Sequence, residues 1–117
     1  MTKFQDLGLS DDVLKGISEQ GFEEAFPIQE AAIPVLLSGR DVVGQAHTGS
    51  GKTAAFSLSM LQEIQPKKGI QGLVMAPTRE LAMQISDEIK KFGKYTGIKV
   101  ATIYGGQGMG IQRDALH

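Results

Sequence analysis

Eight residues constrain this chain more than any others: Ala46-His47-Thr48-Gly49-Ser50-Gly51-Lys52-Thr53. The short apolar run Asp41 to Ala46 leads into them and reads as a buried strand. Lys52 to Ile64 leads out and reads as a helix, with Ala55, Phe56, Leu58 and Leu61 available for packing. A glycine-rich turn between a strand and a helix suits an anion. Backbone amides from Gly49 to Thr53 can point at a phosphate, and the helix N-terminus adds positive potential. Lys52 can reach terminal phosphates, and the Thr53 hydroxyl can sit on Mg2+. Ala46 stands where the usual phosphate-loop pattern has glycine. The plainer alternative, a glycine turn with a chance Lys-Thr after it, leaves the coincidence of strand, loop and helix unexplained. His47 reads as a solvent-facing loop residue, since a lone histidine without partners rarely signals catalysis.

The rest of the chain alternates in the same way. Ser10 is a candidate N-cap with Asp11 and Asp12 in the first turn, Val13, Leu14 and Ile17 share one face, and Gly21 can close the helix. A second helix is expected from Pro27 to a stop at Gly39, with Pro34 inside it. Gly72 to Ala76 and Lys99 to Tyr104 read as two further apolar strands. Between them Arg79 to Phe92 reads as an amphipathic helix, with Leu81, Ile85, Ile89 and Phe92 at helical spacing. Strands alternating with helices predict an α/β fold, a parallel sheet flanked by helices with right-handed crossovers.

Composition narrows the function. The 117 residues suffice for one small domain, and a formal charge of −1 gives no bulk basic field. Any nucleic-acid contact must therefore rest on local groups. The chain has no cysteine, so disulfides and thiolate metal sites are excluded. No apolar run approaches a membrane span, and the N-terminus has no apolar signal core. An intracellular, cytoplasmic protein with no membrane partner is the expectation.

Four separate segments then resemble one family. Gly21-Phe22-Glu23-Glu24-Ala25-Phe26-Pro27-Ile28-Gln29 resembles the Q motif of the DEAD-box RNA helicases, and Phe4 lies 17 positions before Gly21, where that family keeps an aromatic residue. Ala46 to Thr53 is similar to its phosphate loop, which opens with alanine. Pro77-Thr78-Arg79-Glu80-Leu81-Ala82 is similar to motif Ia, and Gly105-Gly106 to the GG motif. The resemblance implies that residues 1–117 are the N-terminal portion of the first RecA-like, ATP-binding domain, a partial phosphate-loop domain. Phe26 departs from the pattern. A small hydroxyl residue is usual there, so Phe26 is expected to be a core aromatic with no part in nucleotide binding.

The resemblance implies ATP, Mg2+ and RNA as ligands and ATP-dependent RNA unwinding as the activity. Phe4 would stack on adenine or anchor the N-terminal segment. Gln29, with donor and acceptor on one carboxamide, would read the adenine edge and reject guanine, which reverses it. Thr48, Gly49, Ser50, Gly51, Lys52 and Thr53 would hold the phosphates. Lys52 and Thr53 are the catalytic candidates, and Thr53 is the Mg2+ ligand. Pro77, Thr78, Arg79, Gly105 and Gly106 would meet the RNA sugar-phosphate backbone. Lys67, Lys68, Lys90, Lys91 and Lys94 read as solvated faces. A DNA-translocating helicase is disfavoured by the Q motif together with Pro-Thr-Arg-Glu-Leu-Ala. No Asp-Glu-Ala-Asp box occurs before His117. A piece of a longer protein is therefore expected, truncated before that box, and inactive in hydrolysis and strand separation on its own. The alternative is a non-catalytic fragment that only binds nucleotide. The three strands would lack neighbours, which predicts a gap filled by another molecule, rearranged pairing, or exposed Val42, Val43, Leu73 and Val74, with self-association of the fragment among the expected partners.

Overall fold

The computed structural model describes residues 2–45, 51–66 and 68–103 of the chain. A 3-10 turn at Phe4–Asp6 precedes four helices: α1 (Asp11–Glu19), α2 (Pro27–Leu37), α3 (Lys52–Glu63) and α4 (Arg79–Phe92). Among the described residues no helix is long and apolar enough to cross a membrane.

The helices begin and end where local chemistry directs. The Ser10 hydroxyl accepts from the Val13 N–H at 3.5 Å, and Asp11 and Asp12 meet the positive end of α1. At the other end Gly21 adopts φ 84°. Its N–H donates to the Ser18 carbonyl at 3.0 Å, and Phe22 N–H donates to Ile17 at 3.3 Å. This left-handed closure satisfies carbonyls that the helix leaves open. The same pair of bonds closes α2 at Gly39. The Thr78 hydroxyl caps α4 by accepting from Leu81 N–H at 3.2 Å, and Lys90 and Lys91 complement its last turn.

α3 is the middle of the packing, with α2 on one side and α4 and α1 on another. Leu58 and Ile33 are fully buried, with Val13, Ile17, Leu61 and Phe92 around them. Gly16 brings α1 against the end of α4. A Cβ there would lie 2.1 Å from the Phe92 carbonyl oxygen. A polar cluster closes the same junction at the surface. The Glu19 carboxylate accepts from Lys94 Nζ at 2.7 Å and from the Tyr95 hydroxyl, and Lys15 Nζ lies 4.4 Å from the Tyr95 ring centre. Hydrogen bonds from Lys94 and Tyr95 hold the Glu19 carboxyl below its ordinary range, and the same carboxylate pushes Lys94 and Tyr95 up.

The expected helices are present, but no strand forms among the described residues. Their one bridge pairs Lys3 with Glu24, antiparallel. The segments 41–45, 72–76 and 99–103 have no ladder partner. A ladder needs a second strand alongside, and the described residues supply none. Apolar side chains are exposed as a result: Val43 is 100% exposed, Leu73 82% and Met75 86%. Val42 is exposed to a lesser degree, whereas Val74 is half-buried. On α4 the amphipathic face is only partly covered, since Phe92 is buried, Ile85 and Ile89 are half-buried and Leu81 is exposed.

Candidate functional site

Gln29 occupies the third position of α2, and its side chain is 4% exposed. Two bonds fix its carboxamide. Phe26 N–H donates to Oε1 at 2.9 Å, and Nε2 donates to the Gly51 carbonyl at 3.2 Å. The first bond serves the helix, because Phe26 is the N-cap and has no side-chain acceptor of its own. The second joins the Gly21–Gln29 segment to the exit of the glycine-rich loop. The same Gly51 carbonyl accepts from Ala55 N–H at 3.1 Å, the first bond of α3. A carboxamide has two N–H donors and two acceptor positions on oxygen. Gln29 uses one of each in these two bonds.

Gly51 has φ 88°, a left-handed conformation that side chains oppose. A Cβ on it would meet Gln29 Nε2 at 2.3 Å and Phe26 Cδ2 at 2.7 Å. Conformation and crowding both require glycine at this position. From it α3 starts with Lys52, exposed, and Thr53, half-buried. Thr48, Gly49 and Ser50 lie outside the described residues, as do Gly105 and Gly106.

The N-terminal segment braces this site from behind. Phe4 N–H donates to the Glu23 carbonyl at 3.1 Å, Ala25 N–H donates to Thr2 at 2.9 Å, and the Thr2 hydroxyl donates to the Glu30 carboxylate. The Phe4 ring itself lies in the core and is 4% exposed. That placement fits an anchor for the N-terminal segment. Phe26 shows the opposite arrangement. Expected in the core, it is 44% exposed and rests against Gly51. Neither contact with Gly51 was readable from spacing, since residues 26 and 29 meet residue 51 only through the packing of α2 on α3.

A second locus lies at the start of α4, where Pro77, Thr78 and Arg79 are all exposed. The Thr78 oxygen already caps the helix. Among the described residues no group of three or more His, Asp or Glu is placed to hold a metal ion.

Residues 26–117 match the DEAD/DEAH box helicase family, and the chain belongs to that family. It is 50% identical over 117 residues to the DEAD-box ATP-dependent RNA helicase CshA of Bacillus cereus, which spans 99% of this chain and 22% of CshA. The chain thus spans about a fifth of the length of such curated relatives. Among solved structures, a DEAD box protein from the hyperthermophile Methanococcus jannaschii superimposes with a TM-score of 0.95 at 40% identity, over 99% of this chain and 32% of that one. The RNA helicase Prp28 of Chaetomium thermophilum bound to ADP gives a TM-score of 0.85 at 42% identity, over 99% and 30%.

Proposed function

We propose that this chain supplies the nucleotide-binding side of an ATP-dependent RNA helicase. One observation carries the reading: a buried glutamine at the head of α2 is hydrogen-bonded to Gly51, the exit of the glycine-rich loop. A base-reading group and a phosphate-holding element are thereby fixed relative to each other. The unused N–H and lone pair of Gln29 match the amino donor and ring-nitrogen acceptor of adenine. Lys52 brings a charge to the terminal phosphates, with Thr48 to Gly51 as the cradle. Thr53 supplies one oxygen for Mg2+; bound Mg·ATP would furnish the reacting phosphate and the metal's charge. Phe4 anchors the Q segment from beneath, and its ring is kept for the adenine face.

RNA is the proposed second ligand, along Pro77, Thr78 and Arg79 and the pair Gly105 and Gly106. The exposed start of α4 suits a phosphate, since the positive end of a helix and the Arg79 side chain lie together there. A cytoplasmic location belongs to the same proposal. The sheet of a RecA-like domain would engage segments 41–45, 72–76 and 99–103. Self-association of the isolated chain through their exposed apolar residues belongs to the same reading.

Displacement of a fluorescent ATP analogue tests the nucleotide claim. Lys52→Ala should weaken ATP by about tenfold or more, the range expected for loss of a hydrogen bond to a charged group. Unchanged ATP affinity would remove the phosphate role from this loop.

A further inference from the structure

Phe26 is hard to explain by local rules. It is the N-cap of α2, where Ser, Thr, Asp or Asn would accept from the first turn, and its side chain makes no cap bond. Burial does not explain it either, since the residue is 44% exposed. What its ring does have is a contact. Cδ2 lies 2.7 Å from the point where a Cβ of Gly51 would sit, beside Gln29 Nε2 at 2.3 Å from the same point. Two side chains of the Q segment therefore close over one glycine, one by a hydrogen bond and one by a flat apolar edge.

We propose that Phe26 is a positioning residue: its ring, wedged against Gly51, holds the first turn of α3 where Lys52 and Thr53 can meet the phosphates. The inference rests on the nucleotide reading above and extends it to a residue that the motif pattern sets aside. A hydrogen bond fixes Gly51 at its carbonyl only. The glycine at φ 88° has no side chain to limit its rotation, and the ring fills the space a side chain would have used. The benefit is preorganisation, so the ring acts on phosphates without touching them.

The full chain is compared with Phe26→Ala and Phe26→Tyr in two measurements. The first is the affinity for ATP and for inorganic tripolyphosphate, which has phosphates but no base. Phe26→Ala should weaken both by the same factor, about threefold or more, and Phe26→Tyr should retain parental values. The second is hydrogen exchange of the Ala55 amide, bonded to the Gly51 carbonyl at 3.1 Å. Phe26→Ala should speed it while amides within α4 keep their rates. Parental affinities and exchange in Phe26→Ala would overturn the proposal. So would weakening of ATP alone, which would make the ring a base contact. If the alanine variant melts early, Phe26→Leu, which keeps apolar bulk at the head of α2, is judged by the same two readouts. If the parent binds neither anion, the nucleotide reading fails, while the exchange measurement still decides whether Phe26 fixes Gly51.

Discussion

Gly16 and Gln29 show how much a single residue can determine when the backbone comes close. Gln29 is legible in sequence as a carboxamide after Gly-Phe-x-x-x-x-Pro-Ile, but its bond to Gly51 joins residues far apart in sequence and arises only on packing. Phe26 departs from the expected core position for a related reason. Apolar character suggests burial, whereas its position at a helix start beside a glycine leaves the ring at the surface. Gly16 carried no signal at all, since a glycine inside a helix reads as a weakness. In an exposed helix Gly→Ala would stabilise by about 1 kcal/mol. Here the new Cβ would lie 2.1 Å from a backbone oxygen and 2.8 Å from the Phe92 carbonyl carbon, so α1 and α4 must separate. Gly16→Ala should therefore destabilise the fold by about 1–3 kcal/mol, read as a lower urea midpoint with an unchanged slope. An unchanged or raised midpoint would show that the two helices do not approach so closely.

At the scale of elements, helices were readable because their information is local. Thr78, the apolar spacing through Phe92 and the lysines of the last turn mark α4 over Arg79–Phe92 without reference to the rest of the chain. Strands were not readable to the same degree, because an apolar run becomes a strand only when another lies beside it. How elements lock together is likewise non-local. The Glu19, Lys94 and Tyr95 cluster joins the end of α1 to the turn after α4. It gives a pH dependence of known sign. The folded Glu19 carboxyl is lowered by its bonds to Lys94 and Tyr95, so its contribution is present above the ordinary carboxylate range and is lost as pH falls through the lowered value. Lys94 and Tyr95 are raised, so theirs are present below their ordinary values and lost as pH rises through the raised ones. Glu19→Gln should thus be less stable than the parent at neutral pH, and the difference should shrink as pH falls through the lowered folded value of the carboxyl. Urea midpoints across that range check it; a difference that persists undiminished in acid would mean the charge of Glu19 is irrelevant.

For the whole molecule, the proposed nucleotide side is held, among the described residues, by more hydrogen bonds than the segments expected to form a sheet. Its parts are a buried glutamine, a left-handed glycine and a helix start held together by hydrogen bonds. The sheet side is defined by exposed residues, Val43 and Leu73 above all. Family membership was legible in the motifs because phosphate binding and base reading require particular residues at particular spacings. The sheet depends on pairing that no motif contains. We propose that Gln29, fixed by Phe26 and Gly51, reads adenine for the phosphate loop beside it. The affinities of the chain for ATP and GTP, with and without Gln29→Ala, test it most directly. The parent should prefer ATP, and Gln29→Ala should bring the two affinities together, chiefly by weakening ATP. Equal affinity for ATP and GTP in the unaltered chain would contradict it.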